Sequence, residues 1–192
     1  MKEGRTINVG VLGAGNFANM QHLPNLKRID NVNVVAICDV DDYWSKKKLE
    51  LLVPLFQDKN VGIVYSNLWI LNNKNQTKRI YVNKALPKGN IDSIIDIRTF
   101  ITIPTVVIRK VAYFNLKIGF NKKYQIIGDH DFFVRISKKY LFDCVQEPLA
   151  TYRLHQDNFT KKNRNIEIDE LEDWLQDVKN FLSKEEIISV RE

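Results

Sequence analysis

A short apolar strand that runs directly into a glycine-rich turn opens this chain of 192 residues, and this pattern limits the possible folds. Residues 7–12 are rich in β-branched side chains and stop at the Gly-Ala-Gly segment 13–15, as a buried strand does where it enters a tight turn. A helix over 16–29, interrupted at Pro24, and a second buried strand over 32–38 complete a βαβ unit. The opening therefore predicts an α/β protein.

The glycine-rich turn has the residues that a dinucleotide site needs. Gly13 and Gly15, followed by Ala18, let backbone N–H groups approach a pyrophosphate at a helix N-terminus. Asp39, after the second strand, is placed to accept hydrogen bonds from ribose hydroxyls. With residues 9–12 and 22–24, this opening resembles the Gfo/Idh/MocA family of NAD(P)-dependent oxidoreductases over about the first 40 residues. The alternative is a βαβ unit that keeps its glycines without binding NAD(P).

A cluster of aspartates follows the second strand, and a series of spaced motifs follows the cluster. Asp39 and Asp41 form an acidic pair at a strand end, which suits a Mg²⁺ or Mn²⁺ ion that bridges two phosphates. The later segments come in the order 61–67, 107–110, 128–136 and 152–158. Together with the aspartates they resemble a family 2 glycosyltransferase from about residue 39 to about residue 160.

The resemblance implies a metal site and a catalytic base. Asp39 and Asp41 correspond to the Asp-x-Asp pair that holds the metal on the donor diphosphate, and Asp129 lies where the family places its base. An inverting transfer needs one carboxylate to accept the proton of the acceptor hydroxyl. The alternative for Asp129 is a helix N-cap, and Asp131 is then the alternate base.

Further residues receive roles near the donor diphosphate by the same resemblance. His155 is a candidate metal ligand, and Asp42, Asp131 and Arg153 are candidate substrate-binding residues. A structural histidine is the alternative for His155, as it is for His130, and a structural ion pair is the alternative for Arg153.

The resemblance also implies a GT-A-like α/β fold, a Rossmann-like mixed sheet with flanking helices that is incomplete at its start. The donor-binding βα units of a family 2 enzyme are replaced by the βαβ unit. We therefore expect a βαβ unit over 1–40, a glycosyltransferase-like portion over 41–160, and a polar linker with an amphipathic helix over 161–192. The strand that ends at Asp39 either pairs with 61–66, as a GT-A-like sheet requires, or belongs to a separate small unit.

The periodicity of apolar residues predicts the remaining elements. A helix capped by Ser45 is expected to bury Leu49, Leu52, Val53 and Phe56 on one face. The other predicted elements are strands over 61–66, 69–71, 79–82, 105–109 and 149–154, and helices over 91–100, 129–140 and about 168–182, with Phe133 and Ile136 facing inward. The tail from Lys161 onward is expected to dock on the domain, on a partner or on a membrane surface.

Composition sets the expected partners and compartment. The net charge of +6 favours acidic partners, but the basic residues are scattered without a nucleic-acid-binding signature, so no nucleic acid is expected. No apolar run approaches the roughly 20 residues that cross a bilayer, which predicts a cytoplasmic protein, or one peripheral at the inner face of the membrane. The expected partners are a nucleotide-sugar donor and a saccharide or lipid-linked acceptor.

The function that these patterns favour is metal-assisted glycosyl transfer with an aspartate base, impaired where the first unit replaces the donor-binding part. An NAD(P)-binding oxidoreductase fragment is the alternative enzyme. A binding protein that has kept the fold without catalysis is the third alternative.

Overall fold

The structure of the chain, a computed structural model, describes residues 7–12, 32–38, 42–92, 100–156 and 158–178. The chain divides between Tyr43 and Trp44 into two compact units. In the first unit, β1 (Ile7–Leu12) and β2 (Val32–Cys38) pair in parallel as a two-stranded sheet. Both strands have the bounds that the sequence predicts. The helix predicted over 16–29 lies outside the described residues.

The second sheet is mixed and open, with five strands. Its order is β3 (Tyr43–Trp44), β7 (Leu141–Leu154), β4 (Val61–Asn72) and β5 (Thr77–Ile80), and β6 (Val107–Ile108) also pairs with β4. β4 and β7 run parallel, whereas β5 and β6 are antiparallel to β4. The prediction of an α/β protein with a mixed sheet is confirmed. Within the described ranges β2 pairs with β1, and β4 pairs with β5, β6 and β7, so residues 61–66 do not pair with the strand before Asp39.

Helices and 3₁₀ turns flank this sheet. In chain order the helices are α1 (Lys48–Leu52), α2 (Lys110–Phe114), α3 (Gly128–Ser137), α4 (Phe159–Lys162) and α5 (Arg164–Val178). The prediction of one apolar face after Ser45 is wrong in part, because Leu49 and Val53 are about half exposed. α1 gives way to a 3₁₀ turn, Val53–Gln57, with Pro54 in its first turn, which changes the helical spacing.

The strand predicted over 105–109 is shorter in the structure, where a 3₁₀ turn, Ile103–Thr105, precedes the two residues of β6. Of the helix predicted over 91–100, residues 93–99 lie outside the description. β4 and β5 are antiparallel neighbours joined by residues 73–76 and form a hairpin. The two strands predicted over 61–66 and 69–71 are one continuous strand, β4.

The main hydrophobic core lies between the sheet, α3 and α5. Phe133 and Ile136 of α3 are 1% and 0% exposed, as predicted, and Trp174 of α5 is fully buried beside them. The C-terminal helix therefore docks on its own domain through Trp174, Leu175 and Val178. No helix of the described ranges combines the length and the apolar character that a membrane crossing requires.

A β-bulge interrupts the parallel pairing of β4 and β7. Ser66 pairs with Val145 but Asn67 pairs with Pro148, so the intervening residues of β7 have no counterpart in β4. The proline lacks an N–H to donate, and a bulge is one of the few places in a sheet where it fits. The buried Asn67 amide donates to the Val82 carbonyl (2.8 Å) and accepts from the N–H groups of Leu68 (2.9 Å) and Val82 (3.2 Å). Its side chain thus supplies the hydrogen bonds that the irregular ladder omits.

Candidate functional site

Asp129 lies in the first turn of α3, as the sequence predicts. Its side chain is half-buried, and its Oδ1 accepts a hydrogen bond from the His130 backbone N–H at 2.8 Å. No side chain caps the helix at Ile127, so the N-cap role considered for Asp129 does not apply. The N-terminal end of a helix dipole favours the ionised form of a carboxylate in this turn.

Asp131 lies one residue beyond His130 in a different environment. It is 3% exposed, and its Oδ2 accepts two hydrogen bonds from Arg135, from Nε at 2.9 Å and from Nη2 at 2.6 Å. Its Oδ1 accepts from the indole Nε1 of Trp174 at 3.1 Å. One oxygen therefore links two successive turns of α3, and the other links α3 to α5. This arrangement favours a structural role over the predicted substrate-binding role, which stays a prediction.

The segment before α3 is held by a carboxylate of α5. Glu170 accepts hydrogen bonds from three consecutive backbone N–H groups, at Gln125 (2.6 Å), Ile126 (2.9 Å) and Ile127 (3.1 Å). The partial positive charge at the start of α3 is thus matched by an internal anion. His130, 1% exposed, packs its ring edge-on against Trp174 with the ring centroids 4.6 Å apart. The structural interpretation of His130 fits this burial.

A second group of contacts organises the chain after β7. The Asn158 amide Oδ1 accepts from the His155 backbone N–H (2.7 Å), and its Nδ2 donates to the Arg153 carbonyl and to the Tyr152 hydroxyl, both at 3.2 Å. Arg153 and His155 are half-buried, with the Nε2 atom of His155 shielded from solvent. Contacts within the segment therefore account for the spacing Tyr-Arg-x-His-x-x-Asn. The asparagine side chain binds the backbone of the arginine and the histidine and the hydroxyl of the tyrosine.

Arg109, in the motif of residues 107–110, holds the start of β4. Its Nε donates to the Val61 carbonyl (2.7 Å), and its Nη2 donates to the carbonyls of Phe56 (2.7 Å) and Asp58 (2.8 Å). The guanidinium also lies over the Phe56 ring at 4.9 Å. These contacts use the planar, multiple donors of arginine. This motif residue therefore has a structural function.

The acidic motif is described only at its end. Asp42 is half-buried and directly precedes β3. Gly13, Gly15, Ala18, Asp39 and Asp41 lie outside the described residues. In the part of the chain that the structure describes, no three His, Cys, Asp or Glu side chains are grouped as a metal site. The roles predicted for the aspartate pair therefore stay predictions.

Lys48, close to this motif in the sequence, is fully buried in α1. Its Nζ donates a hydrogen bond to the Pro104 carbonyl and lies 4.0 Å from the centroid of the Trp44 ring. Burial lowers the pKa of this amine from 10.5 to about 7. Above about pH 7 the amine of Lys48 is therefore mainly neutral in the folded protein.

This buried amine makes stability depend on pH. Between about pH 7 and 10 the unfolded chain keeps the Lys48 proton that the folded chain releases, so stability rises with pH. We expect the free energy of unfolding to increase from about pH 7 to about pH 8.5, by at most about 1.4 kcal/mol per pH unit. Urea unfolding followed by tryptophan fluorescence at several pH values measures this slope.

Lys48→Met should remove the slope, and Lys47→Met, at an exposed neighbouring lysine, should keep it. The predicted increase in stability is limited to pH values below about 8.5. Burial raises the pKa of the Cys144 thiol, so at higher pH the unfolded chain loses this proton before the folded chain does, and stability falls. An equal slope in the wild type and Lys48→Met would show that other groups cause it.

The sequence interpretation missed the residues that hold the site in place. Glu170 and Trp174 bind residues 44 and 43 positions away along the chain, and Asn158 binds residues of its own motif. Trp174 lies within the helix predicted over about 168–182, but no pattern in the sequence indicates the partner of its indole N–H. Comparison with protein-family models and with curated proteins finds no match for this chain.

Proposed function

We propose that the second unit is the acceptor-side part of a family 2, GT-A-like glycosyltransferase. It would transfer a sugar from a nucleotide-diphosphate donor to a saccharide or lipid-linked acceptor. The motif segments are in the expected order. Two of them lie at the start of α3 and the end of β7, where Glu170 and Asn158 hold the backbone by hydrogen bonds. Because the βαβ unit stands in place of the donor-binding part, we expect the transfer to be slow.

The observation that carries the proposal is the contrast between the two carboxylates at the start of α3. Asp131 is buried and bound by Arg135 and Trp174, whereas Asp129 is half-buried in the first turn. A general base must reach the proton that it accepts. Of the two candidates, Asp129 is therefore the base, and Asp131 orients the helix that presents it.

The supporting contacts give Asp129 a fixed position. The His130 N–H holds one of its oxygens, Glu170 holds the backbone before it, and Asp131 joins α3 to α5. Catalytic groups are most effective when their surroundings determine their geometry before substrate binds.

A divalent cation fits the acidic motif by its donor chemistry. Carboxylates are the ligands that Mg²⁺ and Mn²⁺ prefer, and such ions are usually held by one or two carboxylates together with substrate phosphates. Asp39 and Asp41 would hold the ion. When bound, the ion would neutralise the charge of the departing nucleoside diphosphate.

A thermal-shift panel tests the proposal. We expect Mn²⁺ together with one of several nucleoside diphosphates to raise the melting temperature by roughly 5–10 °C when the ligand is in about hundredfold excess over its Kd. Asp41→Ala should abolish the rise, because it removes half of the metal pair. Asp169→Ala, at an exposed carboxylate of α5, is the matched control and should keep it.

Mn²⁺ and the nucleotide should be measured separately as well as together, because the proposal requires that each needs the other. The absence of a rise at millimolar ligand for every nucleotide would contradict the donor site. A rise that persists in Asp41→Ala would place the ligand elsewhere.

A second candidate function is NAD(P) binding, which the parallel pairing of β1 and β2 favours. A βαβ dinucleotide site needs two adjacent parallel strands with the glycine-rich turn after the first. The same thermal-shift panel includes NAD⁺ and NADH. A rise with either cofactor that is lost in Gly13→Val would support this candidate over the glycosyltransferase.

A further inference from the structure

The most exposed large apolar side chains of the described residues lie around α2. Phe114 is 68% exposed and Ile118 58%, and Val111 (53%) and Phe120 (41%) belong to the same stretch. Scattered exposed apolar residues are ordinary on a protein surface, but a contiguous group indicates an interaction site. We call residues 110–120 and 132–140, the segments of α2 and α3 that form this region, the basic apolar surface.

The loop that carries Ile118 is fixed to α3. Arg135 donates to the carbonyls of Ile118 (2.6 Å) and Gly119 (2.7 Å), while its guanidinium is held by Asp131. The Phe120 ring stacks on Phe132 with the centroids 4.6 Å apart. The exposed side chains therefore project from an anchored backbone, so a partner would not have to order the loop on binding.

Basic side chains lie beside Ile118 in this region. Lys117, Lys138, Lys139 and Arg135 line an open groove of about 370 Å³ together with Leu116 and Ile118. The two segments of the basic apolar surface hold five basic residues and no acidic residue. Arg135 is paired with the buried Asp131, so the positive charge of the surface comes from the lysines at positions 110, 117, 138 and 139. The acids of α5 act elsewhere, since Glu170 binds residues 125–127 and Asp173 and Asp177 pair with Lys123. The surface is therefore complementary to a negative charge.

Exposed apolar side chains next to lysines favour an anionic lipid surface as the partner. Apolar side chains that enter the boundary between headgroups and acyl chains, with lysines at the level of anionic headgroups, are what a peripheral membrane surface requires. We propose that the basic apolar surface docks the protein on an anionic lipid bilayer. This proposal is independent of the proposed function, and it assigns membrane binding to α2 and α3 instead of to the C-terminal tail.

Vesicle co-sedimentation of the full chain tests the proposal. We expect binding to vesicles of phosphatidylcholine mixed with phosphatidylglycerol, weak binding to phosphatidylcholine alone, and a loss of binding as salt concentration rises. Lys138→Glu combined with Lys139→Glu should weaken binding about tenfold or more. Phe114→Ser combined with Ile118→Ser should also weaken it, on the order of tenfold, because apolar insertion is lost.

Matched controls separate this surface from general charge and folding effects. Lys74→Glu combined with Lys84→Glu makes the same charge change at exposed lysines elsewhere, and Ile168→Ser removes a half-exposed apolar side chain from α5. Both controls should bind as the wild type does. Equal binding to both kinds of vesicle, an equal loss in the controls, or a dimer in solution that Phe114→Ser disrupts would each overturn the proposal.

Discussion

Replacing Arg135 by methionine is expected to lower the free energy of unfolding by about 3–5 kcal/mol. The carboxylate of Asp131, whose side chain is 5% exposed, would lose both hydrogen bonds of the guanidinium and remain buried without its countercharge. The carbonyls of Ile118 and Gly119 would also lose their donor. Methionine keeps the length of the apolar stem, so the effect would report mainly on the charge and the hydrogen bonds.

Urea unfolding at constant pH measures this change. Arg79→Met, at an exposed arginine of β5, is the control and should alter stability by less than about 0.5 kcal/mol. Arg135→Lys should be intermediate, because an ammonium keeps the charge without the planar fork. A loss below about 1 kcal/mol in Arg135→Met would mean that Asp131 is not held as the structure indicates.

Under the proposed function, Asp129→Asn is expected to lower kcat for glycosyl transfer on the order of 10²–10⁴-fold. Asparagine has nearly the same shape and keeps an oxygen to accept the His130 N–H, but it cannot accept the proton of the acceptor hydroxyl. The donor nucleotide is first chosen by the thermal-shift panel. Transfer from the corresponding labelled nucleotide sugar to candidate acceptors is then measured for the wild type and the variant.

Two comparisons make the result specific to the base. The melting-temperature rise with Mn²⁺ and the nucleotide should be the same in Asp129→Asn and in the wild type, because the donor site is unchanged. Asp131→Asn should lower stability and leave kcat of the folded protein within about tenfold. The reverse result, with kcat lost only in Asp131→Asn, would identify Asp131 as the base.

The predictions that depend on local pattern were confirmed. β1 and β2 have the predicted bounds, and Phe133 and Ile136 face the core. Errors came where the backbone departs from regular spacing. Val53 is exposed because the helix tightens to a 3₁₀ turn, whereas Leu49 is exposed because Lys48 and Leu52, one turn apart, form the buried face of α1. The first half of β7 shows no alternation of apolar and polar residues, since it holds Asp143, Gln146 and Glu147 and is followed by Pro148 at the bulge.

At the candidate site too, the sequence predicts local position but not long-range contacts. The position of Asp129 in the first turn of a helix follows from the sequence, because a helical apolar pattern begins there. The burial of Asp131 does not, because it depends on Arg135 and on Trp174, which is 43 residues away along the chain. Periodicity determines which face of a helix is apolar, and it cannot indicate which distant donor a buried carboxylate will meet.

β4 is buried on both of its faces from Val61 to Leu68. Odd-numbered residues, Ile63 and Tyr65, enter the main core beneath α3, whereas even-numbered ones, Val64, Leu68 and Ile70, belong to two smaller clusters on the other face. The unmatched residues of the bulge are on β7, so β4 keeps its period of two from Ile63 to Ile70. Evolution can therefore lengthen or replace the 73–76 turn while the side chains beneath α3 keep their places.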